Sequence, residues 1–411
     1  MDKDKSNLIK NFLFVVIFQG SNYLLPFLTY PVLSRVLSVE HFAVVNIAFS
    51  LSMLFYILND FGMSIFLPRE IAKYKSKNEQ EKIDSSITKA YFIKFFLMIF
   101  TFFIYYILID FKFKEDLFLF IGFFLMTIGN SFTPIWFFQG IERMGYITFF
   151  NIFSKGLILI LIIIFITQDY LYKYIGLIYG ISFLLSMIIA NFIMFSYFKI
   201  RLRLKYLENL FDFIKSSFNF FISRIAVTSY TYANNFILGM YIPKKEVGFY
   251  SSAEKLYNGM VGMLYPVIFV FYPYMSRTKN IGFYKKIVAL VFLGVLIFSG
   301  IGFLYADSIV TFVFGPLYSH SSIYLKLFFI NFSIATLSIL IGYPLLAAYS
   351  KENYANYSTV VGSIFYFILI GISLVLDKLT TINIIKFQIL SQTLILSIRL
   401  WGLKNLFFKN G

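Results

Sequence analysis

Cysteine is absent from the 411 residues, and histidine and tryptophan each occur only twice. Without cysteine there can be no disulfide, thiol nucleophile or cysteine-ligated metal centre. The two histidines, His41 and His320, have no carboxylate or second histidine at ligand spacing, so no metal site is expected. Neither a phosphate-cradling nor a dinucleotide glycine pattern occurs, so neither ATP hydrolysis nor a cofactor is expected. No catalytic constellation is visible. Asp2-Lys3-Asp4 matches a nucleotide-sugar DxD pattern in letters only, without a domain around it. Charge is scarce too, at 14% of residues, and what there is leans basic, with 36 Lys and Arg against 20 Asp and Glu.

Apolar surface fills the chain instead. It is 59% hydrophobic, with 55 Phe and 31 Tyr, and its mean hydropathy is +0.78. Folded soluble chains run near half apolar and a quarter charged, so one aqueous core cannot hide this much. The bilayer is the natural solvent for such a chain. A net charge of +16 would suggest nucleic acid in a soluble protein. Here the basic residues gather in short stretches between apolar runs, where membrane orientation accounts for them.

A helix needs about 20 apolar residues to cross the hydrocarbon core. Twelve runs qualify, near 8–37, 42–68, 87–110, 116–140, 147–168, 171–198, 212–241, 246–275, 283–305, 321–349, 354–376 and 380–403. The first has no small-residue cleavage site and is expected to be an uncleaved span. Long continuous runs favour helices over a barrel of short alternating strands. Alternate connections carry most of the Lys and Arg, among them Lys73, Lys75, Lys77, Arg201, Arg203, Lys285 and Lys286. The positive-inside rule makes that side cytoplasmic, with both termini on it.

The two halves look alike. A shift of 205 carries Pro68 onto Pro273, and a shift of 210 carries Pro134 onto Pro344 and Glu142 onto Glu352. Each shift equals six runs, so the expected organisation is 1–205 and 206–411, two six-helix lobes. Because six is even, the repeat is parallel, with its pseudo-two-fold axis along the membrane normal. Chance similarity among apolar segments is the alternative.

Charges inside a bilayer cost about 2.5–3.5 kcal/mol at mid-helix and need a partner or a wet cavity. The interior candidates are Lys155 (fifth run), Arg224 (seventh), Lys255 (eighth) and Lys326 (tenth), against the carboxylates Asp60 (second) and Glu254 (eighth). The cation excess suits an anionic headgroup, and the two carboxylates are candidates for coupling or gating. Simple pairing of each carboxylate with one cation, the rest reaching to the interface, is the other reading. Arg35, Lys386 and Arg399 lie nearer helix ends and are expected to snorkel. Pro26 and Pro31 in the first run and Pro266 and Pro273 in the eighth are candidate kinks. Gly176 and Gly180 read as a close-packing face.

Several stretches carry a family likeness. They are Gln19–Pro26 with Tyr30–Leu37, Asp60-Phe61-Gly62 followed by Arg69-Glu70-Ile71, Pro134–Met144 with Asn151 and Lys155, and Val247–Lys255. In order and over nearly the whole chain, they resemble the O-antigen flippases (Wzx type) of the multidrug/oligosaccharidyl-lipid/polysaccharide exporter superfamily. The resemblance implies an all-α membrane protein of twelve transmembrane helices, its two lobes forming a V around a cationic cavity. It also implies alternating-access export of undecaprenyl-diphosphate-linked oligosaccharide across the bacterial inner membrane, driven by an H+ or Na+ gradient. A polysaccharide polymerase and chain-length proteins are the candidate protein partners. A drug or cation exporter of the same superfamily is disfavoured by the basic interior. An O-antigen polymerase-type enzyme would need a sizeable extramembrane loop, and 306–320 offers only Asp307 and His320.

Overall fold

A bilayer offers no water to backbone N–H and C=O groups, so a crossing segment must satisfy them itself, which the helix does. The computed structural model describes residues 2–407, and among them there are helices and no strand. Each of the twelve expected runs becomes a helix or a broken helix. In the first half these are α1 (Asp2–Val36), α2 and α3 (Val39–Asp60, Met63–Ser76), α4 (Gln80–Lys112), α5 and α6 (Leu117–Phe132, Ile135–Gly140), α7 (Met144–Phe165) and α8 (Ile175–Ser196). The second half follows with α9 (Leu210–Tyr241), α10 and α11 (Lys244–Gly262, Tyr265–Thr278), α12 (Ile281–Leu304) and the short α13 (Ala306–Phe314). It closes with α14 (Ser321–Ile341), α15 (Glu352–Val375) and α16 (Thr381–Phe407).

The breaks repeat: the second and fourth runs of each half are the interrupted ones. Between α2 and α3, Phe61 and Gly62 both have positive φ, 49° and 73°. Between α5 and α6 stands Pro134, with Thr133 extended as pre-proline residues are. α10 and α11 part at 263–264, and Pro266 falls in the first turn of α11, where a missing N–H does no harm. α14 runs into a π-helical turn, Gly342–Leu346, containing Pro344. The side chains of Pro266 and Pro273 lie outside the described ones. α1 continues through Pro26 and Pro31 without interruption.

Some helices outrun their expected bounds. α3 and α4 leave only residues 77–79 between them, so much of the expected 69–86 connection is helical. Polar residues do not stop a helix; they only take it out of the lipid. Among the described residues, ten helical stretches are long and apolar enough to cross a membrane. The two runs outside that set are α9, with Asp212, Lys215 and Arg224, and α10–α11, with Glu246, Glu254 and Lys255.

The chain divides into two compact units, Met1–Phe236 and Ile237–Gly411. In the first, α5 packs between α2 and α8 while α1 lies on α7; in the second, α14 packs between α10 and α16. The α5–α8 contact depends on glycine, as Gly176 and Gly180 led one to expect. A Cβ on Gly176 would sit 2.0 Å from the Leu119 carbonyl oxygen, and one on Gly122 would sit 2.3 Å from the Gly176 backbone. Elsewhere the outward faces are apolar. On α4, Phe96, Phe100, Phe103 and Ile107 form an exposed stripe at helical spacing, suited to lipid. The opposite face of α4 buries Ala90, Lys94, Thr101, Tyr105 and Ile109.

Candidate functional site

Asp60 is the last residue of α2, and it is 1% exposed. The helix stops there because the chain turns through two left-handed residues, and Gly62 is required for a second reason. A Cβ on it would strike the α9 backbone, 2.5 Å from Phe221 N and 2.8 Å from Ser217 O. Ser217 Oγ also donates to the Phe61 carbonyl at 2.6 Å, and the Phe61 and Phe221 rings stack at 5.0 Å. Seven residues beyond Ser217 is two helical turns, so Arg224 falls on the same face of α9. Its NH1 lies 3.5 Å from Asp60 Oδ2. Arg224 also donates to the Ser64 hydroxyl and to Tyr56. Ser64 in turn donates to Asp60 Oδ2 at 2.8 Å.

A second cation meets the same carboxylate. Lys94 Nζ is 3.7 Å from Asp60 Oδ1, with both side chains 2% exposed. It donates to the Ser131 carbonyl at 2.8 Å and lies 5.7 Å from the Trp136 ring centroid. The α5–α6 break explains that carbonyl. The last carbonyls of a helix have no intrahelical donor, and the chain turns aside at Pro134. Lys94 takes the Ser131 oxygen, and the Asn191 amide takes that of Phe132 at 3.0 Å. Lys94 is thus held by groups on either side of the break, the Ser131 carbonyl before it and the Trp136 ring after it. Two basic side chains share one buried carboxylate. Arg224 is the open member of the two, with a side chain 26% exposed.

The other expected residues fall elsewhere. Lys155 donates to the Asn22 side-chain oxygen, which also accepts from Asn151 at 2.7 Å, tying α7 to α1. Glu254 is 4% exposed and accepts from Tyr250 at 2.9 Å, with half-buried Lys255 beside it. Lys326 pairs with Asp307 at 3.5 Å, with side-chain exposures of 34% and 63%, so it belongs to an exposed ion pair rather than an interior. Among the candidates, Asp60 and Arg224 are brought into contact with each other from distant helices.

Two expectations need correcting. Arg399, expected to reach for the interface, turns inward at 8% exposure. Its donors go to Ser338, Ser358, Ala355 and Thr359, because the hydroxyls and carbonyls of α14 and α15 supply what water would. His41 has a carboxylate after all: Asp169, far away in sequence, lies 2.7 Å from its Nδ1. Among the described residues no group of three or more His, Asp or Glu could hold a metal. Lys94 was missed, although Lys94, Thr101 and Tyr105 mark one polar face at helical spacing in an apolar run.

Residues 8–279 match the family model described as polysaccharide biosynthesis protein. The chain belongs to that family. The matched stretch of this polysaccharide biosynthesis protein includes Asn22, Asp60, Lys94, Lys155, Arg224, Glu254 and Lys255, and ends before Lys326 and Arg399. The chain is 28% identical over 335 residues, 80% of each chain, to an Escherichia coli (strain K12) protein named "Putative O-antigen transporter". A Shigella dysenteriae protein of the same name is 26% identical over 373 residues, 86% of this chain and 90% of that one. Its fold is shared with the lipid II flippase MurJ, at a TM-score of 0.75 and 14% identity, over 96% of this chain and 87% of that one. An inward-facing multidrug resistance MATE family transporter of the MOP superfamily gives 0.70 at 14% identity, over 96% and 98%.

Proposed function

We propose that this protein is a flippase that moves undecaprenyl-diphosphate-linked oligosaccharide, an O-antigen or capsule repeat unit, from the cytoplasmic to the periplasmic leaflet of the bacterial inner membrane. The family and the names of the two relatives support the substrate class. The observation in this chain that carries the reading is the Asp60 centre, where one carboxylate serves two cations. A diphosphate entering a low-dielectric cavity needs fixed positive charge. Arg224 can turn to it while Lys94 remains to neutralise Asp60, so the anion is bound without stranding a buried carboxylate. A guanidinium also offers a planar fork that holds two phosphate oxygens together. Lys155 and Lys255 are the further candidates for the headgroup as point charges, and Lys326, already paired with Asp307, is the weakest.

Alternating access between two six-helix lobes, 1–205 and 206–411, would use the recurrent helix breaks as bending points, with Pro266 and Pro273 following one of them in α11. Asp60 and Glu254 are the coupling candidates for an H+ or Na+ gradient. In this reading the protein is a transporter and not an enzyme, and both termini are cytoplasmic. A drug exporter is disfavoured by the two basic side chains that share Asp60. The test is a deletion strain complemented with this gene and scored for surface polysaccharide. The flippase reading requires undecaprenyl-linked single repeats to accumulate on the cytoplasmic side without the gene. Normal export in the deletion strain, or single repeats accumulating on the periplasmic side as with a lost polymerase, overturns it.

A further inference from the structure

The first unit holds a second concentration of charge, at the ends of its helices. Residues 197–209, which join α8 to α9, lie along the first turns of α4. The Ser85 hydroxyl donates to the Tyr206 carbonyl at 3.3 Å, and the Arg203 N–H donates to Thr88 Oγ1 at 3.4 Å. Between this strap and α4 is a cavity of about 440 Å3 whose cationic lining is Lys199, Arg201 and Arg203. Two carboxylates share it, and both are engaged. Asp84, 4% exposed, accepts from the Gln80 amide at 3.0 Å and from the Arg201 N–H. Glu81 accepts from the Tyr206 hydroxyl at 3.4 Å and faces Lys205 at 3.7 Å. The side chains of Lys199, Arg201 and Arg203 enter no ion pair or hydrogen bond among the described residues. Glu81 is matched by Lys205 and Asp84 draws on Arg201 and Arg203, so the three cations outnumber the one carboxylate left to them and the lining keeps a net positive charge for a ligand.

The same strap bares apolar residues between its cations. Leu202 is 47% exposed, Leu204 81% and, one helix start further on, Phe211 77%. A free phosphate would satisfy the cations and leave these side chains in water. An occupant with an anionic head and apolar tails satisfies both. The location agrees, because α4 and α8 are apolar enough to cross a membrane and their ends face the headgroup layer, where basic segments attract anionic lipid.

We propose that this cavity is a binding site for the phosphate of an anionic membrane phospholipid, with Leu202 and Leu204 against its acyl chains. The proposal rests on the membrane placement of the chain and is independent of what the protein transports. The test uses the full-length protein purified in a neutral detergent, titrated with phosphatidylglycerol or phosphatidylcholine and read by native mass spectrometry. The native protein is expected to retain one phosphatidylglycerol in preference to phosphatidylcholine. A triple Lys199→Gln, Arg201→Gln, Arg203→Gln variant should weaken that binding roughly tenfold or more, while Arg277→Gln, Lys285→Gln, Lys286→Gln leaves it intact. If the triple variant aggregates, Arg201→Gln and Arg203→Gln are read singly, and each should weaken binding. Equal binding by native and strap variants overturns the site, as does equal loss in the second basic cluster. Displacement of the lipid by inorganic phosphate at millimolar concentration overturns the lipid as occupant and leaves a free-phosphate pocket.

Discussion

Asn at position 60 would remove the counter-charge of two cations at once. Taking one partner from a buried ion pair costs about 3–5 kcal/mol, because the charge left behind has no water to turn to. Asp60→Asn is therefore expected to lower membrane abundance, and Asp60→Asn with Lys94→Met to recover it; thermal unfolding of the purified proteins measures both. Equal stability of single and double variants would remove Lys94 from the centre. Arg224 behaves differently, since Lys94 still neutralises Asp60 when Arg224 is gone. Arg224→Ala should keep near-native abundance and lose most surface polysaccharide per molecule, and Arg224→Lys should lose part of it. Normal polysaccharide per molecule in Arg224→Ala would return this arginine to a purely structural role. Glu254→Gln keeps an acceptor for the Tyr250 hydroxyl, so the protein should remain abundant. If Glu254 couples transport to an ion, its export falls all the same; unchanged export dissociates it from coupling.

Helix contacts offer a sharper comparison, since α5 and α8 meet backbone to backbone. Gly176→Ala places a methyl 2.0 Å from the Leu119 carbonyl oxygen, and overpacking of this kind costs about 1–3 kcal/mol. On α7, a Cβ added to Gly156 would meet nothing within 4 Å. The same substitution there should be neutral or stabilise by about 0.5–1 kcal/mol, through helix propensity alone. Melting temperatures of the two variants should therefore move in opposite directions, and a common shift would mean that α5 and α8 do not meet as described. Gly62 combines both constraints, a left-handed φ and contact with α9. It makes the α2 break and the position of Arg224 parts of one arrangement.

For the whole molecule the decisive quantity is the side on which each connection lies. Basic residues crowd alternate connections, so cytoplasm-active reporters should respond at both termini, within 69–86 and within 199–211. Periplasm-active reporters should respond at 111–115 and 242–245. A terminus reporting outside would break the even-span topology and with it the parallel repeat. The positive side also carries the Lys199–Arg203 strap, so the same experiment assigns the proposed lipid site to a leaflet.

Membrane residence, the helical class and the twelve runs were legible in the residues alone, because a bilayer leaves an unbroken apolar stretch one way to satisfy its backbone. Where the runs break was less legible: the expected runs 42–68 and 116–140 pass straight through the breaks at Phe61-Gly62 and Pro134, while α1 continues through Pro26 and Pro31 and α3 through Pro68. Partners were not legible at all. Asp60 meets Lys94 and Arg224 from helices 34 and 164 positions away, and His41 meets Asp169 across 128. Nothing in local spacing records such contacts; they follow from which faces of α2, α4 and α9 pack together. Arg399 makes the same point in reverse, since its place near a helix end suggested an interface, while the hydroxyls that enclose it come from α14 and α15. Sequence determined which charges had to be accounted for, through the energetic penalty of carrying them into lipid. Tertiary packing alone decided which were paired, which were satisfied by neutral groups, and which, as with Arg224, were left open enough to meet an anion.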